Sequence, residues 1–409
     1  MRPSSLRDRG FTLLEVMIAS ALGVVVLTTG LVVGTQMQKR ALFEEQTMMA
    51  QVTGRAVKEL LTLDLARAGA GMGNTPLSFS YGDRSAITVW YKPDMAVGVA
   101  GAGGTMGPDP TFAPAPTTAL ASDALEIYWG ETSGMVTLAP CTSNSFRQNA
   151  TSFCTVPNPA LAMSATPAIL VSGGLKVSCP VNIVSVSYSA PDPTGTLTIN
   201  GPASESAACN PGAPTWKKGT VTGDVENWLA LRMGGGAYRV NWKNNIPTLE
   251  YRAAGQTAWV VVSRDVEQLT VREGVMDFDR ADNTLDWYPG TNAYNLAKPH
   301  PPISQCKTAD FGTKACWLGG KESDGTTPAA PASDAELITR LRQRVRQLEV
   351  TLVVRTRRSN QDAVQAGTDE EGYVRDGYKR RRFTFKVEPR NFMSVGMIRK
   401  PAEPTGATP

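Results

Sequence analysis

Between Phe11 and Gly34 every position is apolar or small except Glu15 and a few Thr and Ser. At about 1.5 Å per residue, 24 helical residues reach roughly 36 Å, enough to span a bilayer. The pattern then changes without a break. From Gln36 to Ala68 there is no Pro and one Gly, Gly54, while Leu42, Met49, Val52, Ala56, Leu60, Leu63 and Leu65 recur at near-helical spacing. The spacing predicts one continuous helix of roughly sixty residues, about 85–90 Å long, apolar all round at first and along one stripe later. Gly69, Gly71 and Gly73 predict where it stops. No Pro occurs between Phe11 and Pro76, although Gly23, Gly30 and Gly34 leave the apolar half room to loosen.

Beyond the glycines the helical period gives way to short runs rich in β-branched and aromatic residues, set between turn residues. Strands are predicted at 86–91, 124–129, 183–188 and 195–199. Runs at 237–242, 248–252 and 259–262 suggest an antiparallel meander, and 348–355 and 382–387 close the chain. The stretch from Gly98 to Ala121 reads as a surface loop, and 201–214 as a polar loop bearing a cysteine. A second poor-complexity stretch, 319–333, leads into a short helix with a capping box at Ser333 and Glu336.

Composition narrows the class. Charged residues are only 19% of 409, while Gly (38) and Pro (28) are plentiful, which favours a loop-rich extracytoplasmic head over a helical enzyme. A net charge of +4 is too slight to imply nucleic acid by itself. Cys141, Cys154, Cys179, Cys209, Cys306 and Cys316 all follow the long helix, and an oxidising compartment would let them pair. Nearest-neighbour pairing, 141–154, 179–209 and 306–316, closes three short loops, although six cysteines allow fifteen connectivities. A Cys-x-x-Cys spacing for zinc is absent.

The first residues carry Arg2, Arg7 and Arg9 against Asp8, a leader that stays cytoplasmic. Gly10, Phe11, Thr12, Leu13, Leu14 and Glu15 follow it directly. This sequence resembles the class III leader of type IV pilins and their relatives. The resemblance implies cleavage between Gly10 and Phe11 by a prepilin peptidase, and N-methylation of Phe11. The apolar helix therefore stays in the mature protein, unlike a secretory signal peptide. A carboxylate in hydrocarbon costs about 2.5–3.5 kcal/mol, so Glu15 is expected to be functional. By resemblance it pairs with the amino terminus of a neighbouring subunit. The implied fold is α+β: a long N-terminal helix packed on an antiparallel β-sheet head with a large loop-rich insertion. The expected divisions are a leader (1–10), a membrane and filament-core helix (11–35), an amphipathic stem (36–73) and a head (74–409) with an insertion at about 93–214.

Three later blocks are similar to minor pilins of the PilW family: Asp265 to Gly274, Gln347 to Arg355, and Arg381 to Phe392 with its Arg390–Asn391 ending. The stem end, Asp64 to Gly69, matches them too. This resemblance implies a structural, assembly-priming subunit at the tip of a type IV pilus, supporting adhesion and twitching motility. Its implied partners are other minor pilins, the major pilin, a PilY-type tip adhesin and the prepilin peptidase. It implies a single-pass bacterial inner-membrane protein with a periplasmic head, moving to the pilus tip after assembly. A J-like pseudopilin of type II secretion would share the stem features, and an adhesive or DNA-binding tip module is a third reading.

Residues for catalysis are few, and no cofactor motif is present. His300 is the only histidine, in a proline cluster that suggests an exposed loop. Gly234, Gly235 and Gly236 precede a strand and read as a turn rather than a phosphate loop. Asp277, Asp279 and Asp282 form a weak calcium candidate that lacks the glycine and distal glutamate of an EF-hand; the simpler reading is a solvated hairpin turn. Arg340, Arg342, Arg344 and Arg346, with Arg355, Arg357, Arg358 and residues 379–382, leave a basic stripe on DNA phosphates as an alternative. No interleaved aromatic platform accompanies them.

Overall fold

The structure is a computed structural model that describes residues 11–393, apart from 74, 80, 99–105, 143–144, 158–163, 173–176, 190–191, 201–208, 211–215, 217–226, 280–283, 322–324 and 361–362. The opening pattern becomes one helix, α1 (Leu13–Arg67), of 55 residues and about 80 Å. Among the described residues it is the one helix long and apolar enough to cross a membrane. Every residue from Phe11 to Leu42 is exposed. From there on Thr47, Ala50, Gly54, Val57, Leu61, Asp64 and Leu65 are buried along one helix face. This is not the stripe that the apolar spacing predicts: Leu42, Met49, Val52, Ala56 and Leu63 are exposed, Leu60 is half-buried, and Leu65 alone of that set is buried. The helix comes so close to the sheet, with Gly54 against the Phe383 ring, that small side chains face it and several larger ones turn outward.

The head is β-rich. Its first part runs β1 (Leu77–Phe79), β2 (Gly82–Arg84), β3 (Ile87–Trp90), β4 (Ala124–Thr137), β5 (Arg147–Asn149), β6 (Ser152–Thr155) and β7 (Ser164–Ser172). It continues with β8 (Val177–Ser187), β9 (Gly195–Ile199), β10 (Trp228–Lys243), β11 (Ile246–Ala253) and β12 (Val260–Arg264). These twelve strands form one sheet, ordered β12-β11-β10-β7-β8-β9-β6-β5, with β4 also on β10, β3 on β4 and β1–β2 beside β8. The segment from 93 to 214 thus contributes strands β4 to β9 as well as loops.

The second part comprises β13 (Val266–Met276), β14 (Leu285–Tyr288), α2 (Thr308–Gly312), α3 (Asp334–Gln343), β15 (Val345–Arg355), β16 (Val364–Thr368), β17 (Val374–Asp376) and β18 (Arg380–Val387). Strands β14-β13-β15-β18 form an antiparallel sheet, and β16 pairs with β17. The buried stripe of α1 rests on β15 and β18. Alternate residues Leu348, Val350, Leu352 and Val354 of β15 are fully buried, as a strand with one face on a helix demands. At α3, Ser333 accepts from the Glu336 amide at 3.2 Å. The Glu336 carboxylate caps the Ala332 amide instead of that of Ser333.

Gly234–Gly236 are not a turn. They lie inside β10, where its neighbour on one side changes from β7 to β11 while β4 stays on the other. Gly235 has φ +94°, and a Cβ there would sit 2.0 Å from the Ile127 carbonyl. A Cβ on Gly236 would sit 2.1 Å from that of Arg252. Only glycine lets three backbones meet this closely.

Candidate functional site

The candidate site is the stem itself and its joint with the head. Gly10 lies outside the described residues; Phe11 opens the described chain and is 85% exposed. Thr12 caps α1: its Oγ1 accepts from the Glu15 amide at 3.3 Å. Glu15 Oε2 in turn accepts from the Thr12 amide and hydroxyl, both at 3.0 Å. This reciprocal box satisfies donors that a helix start otherwise leaves open. The carboxylate is exposed on an apolar helix and held by neutral donors of its own chain.

At the other end the stem is locked into the head. Asp64, buried, accepts a hydrogen bond from the Tyr238 hydroxyl on β10 at 2.5 Å. Burial, and then the Asp64 contact, hold the Tyr238 phenol far above its ordinary range. Asn391 Nδ2 donates toward the Ala66, Arg67 and Ala68 carbonyls at 3.4, 3.3 and 3.1 Å, covering the acceptors that the last helical turn leaves open. The Gly69 amide donates to the Tyr128 carbonyl at 2.9 Å and the Gly130 amide to that of Ala70 at 2.7 Å, so the chain leaves α1 already bonded to β4. Midway, Gly54 faces the Phe383 ring of β18, where a Cβ would come within 2.1 Å. Sequence reading missed Asp64–Tyr238, Gly54–Phe383 and the Asn391 cap. The Arg390–Asn391 ending was the one local signal for any of them.

Three disulfides are present: Cys141–Cys154, Cys179–Cys209 and Cys306–Cys316. The first ties the segment after β4 to β6 and the second ties the segment after β9 to β8, beside a cluster containing Phe153, Trp216 and Trp228. The third closes the segment before α3.

His300 is not on an exposed loop. It is buried, stacked on Tyr288 at 4.2 Å, with Nδ1 2.7 Å from the Ala315 carbonyl. A carbonyl can only accept, so Nδ1 carries the proton. Burial holds its pKa below the ordinary imidazole value. Its prolines shape a turn folded onto the core, where the ring fills space.

The aspartate turn between β13 and β14 is not simply solvated either. Asp277 is buried and takes hydrogen bonds from the Asp279 amide and the Tyr294 hydroxyl. Asp279 pairs with Lys321 at 3.3 Å. Asp282 lies outside the described residues. Among the described residues no group of three or more His, Cys, Asp or Glu could hold a metal ion.

The arginines do not form a strand stripe. Arg340 and Arg342 sit on helix α3, and Arg342, Arg344 and Arg355 are buried. Arg355 lies over Tyr378 at 4.2 Å, and Arg344 Nη1 bonds the Leu318 carbonyl. Arg380 pairs with Glu267 at 2.6 Å and Asp376 at 2.9 Å. Their long stems reach the core from both helix and strand, so a period-2 reading could not sort them.

Beside Arg342 lies a buried acid pair. Asp123 accepts from the Val271 and Lys92 amides at 2.9 and 3.2 Å, yet burial pushes its pKa up to about 6. Burial pushes Glu273 up to about 7, with Asp123 adding to the rise and Arg342 opposing it. Glu273 Oε1 has no hydrogen-bond partner among the described residues.

The fold is α+β, with a long apolar N-terminal helix on a β-rich head, as in pilins. Residues 5–31 match the family model of the prokaryotic N-terminal methylation motif. That match supports a prepilin-type class III signal on a structural protein of the type IV pilin or pseudopilin kind. It fits membrane anchoring before assembly, and suggests interaction with a prepilin peptidase and other pilins. No curated protein and no solved structure matches the chain.

Proposed function

We propose that this chain is a minor pilin of the PilW type, a structural and assembly-priming subunit at the tip of a type IV pilus. The supporting observation is the division of α1. From Phe11 to Gly34 it is apolar or small at nearly every position and exposed throughout, with Glu15 near the start. Such a surface needs lipid or other stems around it. In this reading the chain is cut between Gly10 and Phe11, Phe11 is N-methylated, and the head faces the periplasm until the stem enters a filament. Glu15 exchanges its own Thr12 donors for the amino terminus of a neighbouring subunit. The head meets other minor pilins, the major pilin and a PilY-type tip adhesin. A type II secretion pseudopilin would carry the same stem; the large head supports the pilus reading, and neighbouring pilus or secretion genes separate the two.

The test is Glu15→Val. Removing a carboxylate makes membrane insertion easier, while a partner amino group loses its counter-charge. Membrane levels should hold and incorporation into sheared pili should fall to a small fraction of wild type. Incorporation at wild-type levels would refute the role given to Glu15.

A further inference from the structure

Where the stem leaves its apolar stretch, the head reaches back down to it. The Arg358 amide, in the loop after β15, donates to Gln46 Oε1 at 3.3 Å. Lys379 Nζ lies 5.4 Å from the centroid of the Phe43 ring. Between this loop and α1 is an open groove of about 650 Å³. Its cationic lining is Lys39, Arg40 and Arg358, against one carboxylate, Glu44; Leu42 and Phe43 supply an apolar wall. Arg357 and Lys379, both exposed, flank it, Arg357 pairing with Asp265 at 3.0 Å.

The helix fixes the height of this groove relative to a bilayer. Residues 13–34 rise about 33 Å, close to a hydrocarbon core of roughly 30 Å. The headgroup layer adds about 5–8 Å on each side, which four or five further helical residues cross. Gln36 to Arg40 therefore lie among headgroups. The head loop holds Arg358 at the same groove, so cations from two distant parts of the chain converge on one layer. The mixed lining suits a phosphodiester with the first methylenes of its acyl chains.

We propose that this groove docks anionic phospholipid headgroups of the bilayer that the stem spans, seating the head on the membrane surface until the subunit is withdrawn into a filament. The inference rests on the membrane-anchor reading. It adds a lipid preference and a fixed head orientation to it.

The test uses the full chain in lipid nanodiscs and follows hydrogen exchange of amides 356–360. Discs containing phosphatidylglycerol should slow exchange about fivefold or more relative to pure phosphatidylcholine, and raised salt should remove the difference. Arg40→Gln combined with Arg358→Gln should also remove it; the salt series on the unmutated chain decides the matter if that variant folds poorly. Equal exchange in the two bilayers overturns the inference. Equal slowing by inorganic phosphate in phosphatidylcholine discs also overturns it, because the groove would then be a free-anion site. A chain that fails to enter phosphatidylcholine discs overturns the anchor and the inference together, whereas insertion without lipid-dependent slowing overturns the inference alone.

Discussion

The two halves of α1 share one backbone and one helical register but differ in what holds them. From Phe11 to Gly34 every residue is exposed, while from Thr47 onward one face is closed against β15 and β18. An isolated helix gains little from propensity alone and depends on packing of its apolar surface. The second half finds that packing within the chain. The first must find it outside, in lipid or in other stems. The joint with the head therefore connects a surface packed by its surroundings to one packed by its own chain.

Two glycines on the one helix test this contrast most strongly. A Cβ at Gly30 meets nothing within 4 Å, whereas at Gly54 it meets the Phe383 ring at 2.1 Å. Gly54→Leu should destabilise the head by about 3 kcal/mol or more, because α1 must lift from β18 to accommodate it. Gly30→Leu should leave head unfolding in detergent unchanged. Equal effects of the two substitutions in chemical denaturation would show that the halves are not energetically distinct.

Covalent ties lie on the head side alone. Replacing Cys306 and Cys316 together by Ser opens a loop of sequence separation 10, which should cost about 2–3 kcal/mol in the chain-entropy view. The head's melting temperature should fall while membrane insertion is untouched. A change in insertion with no change in melting would place the role of this disulfide wrongly.

What could be read from the sequence follows the range of the interactions involved. The run from Phe11 and the absence of proline up to Ala68 are local patterns, and they give the length of α1 directly. Strands β15 and β18 alternate clearly for the same reason. The packed face of α1 differs from the predicted stripe, because Leu42, Met49, Val52 and Leu63 are exposed while Ala50, Gly54, Val57 and Leu61 meet the sheet. Asp64 and Tyr238 stand 174 residues apart, and no local pattern marks their bond. The glycines at 234–236 looked like a turn because the signal for a turn and for a crowded three-strand crossing is the same residue. His300, Asp277 and Arg342 are polar side chains that the tertiary layout buries, which composition cannot foresee. In the stem the residues proposed to act lie where the pattern breaks, as Glu15 does in an apolar run. In the head no comparable break exists.

The buried acid pair separates head from stem by pH. An ordinary Asp or Glu titrates near 3.8 or 4.5, but Asp123 is raised to about 6 and Glu273 to about 7. Between these values the folded head holds protons that the unfolded chain has released, so stability falls as pH rises. The contribution is fully present below about pH 4 and lost as pH passes through 6 to 7. Glu273→Gln keeps a neutral, hydrogen-bonding side chain and should remove roughly 2 kcal/mol of the difference between pH 5 and pH 8. His300, held below its ordinary pKa, acts in the opposite sense, losing stability as pH drops beneath about 6.5. Comparing variant with parent cancels that term. An unchanged pH slope in the variant would mean that Glu273 is ionised in the folded head across this range.

The smallest expected effect lies at the joint itself. Asn391 covers the carbonyls of residues 66–68 from the far end of the chain, and Phe392 beside it is buried against Gly69. Asn391→Ala leaves those carbonyls to water, which can reach a helix end, so the loss should be about 1 kcal/mol rather than the cost of a sealed polar group. Its signature should be local. Amide exchange at Ala68, Gly69 and Ala70 should rise several-fold, while amides of β13 and β15 keep their protection, because the last turn frays before the sheet opens. Asn391→Asp sharpens the point: a carboxylate cannot donate and adds negative charge at a helix C-terminus, so it should cost more than Ala. If Asp is tolerated better than Ala, Asn391 does not act as the donor that closes the stem, and the lock between stem and head rests on Asp64–Tyr238, the backbone bonds to β4 and the packing on β15 and β18.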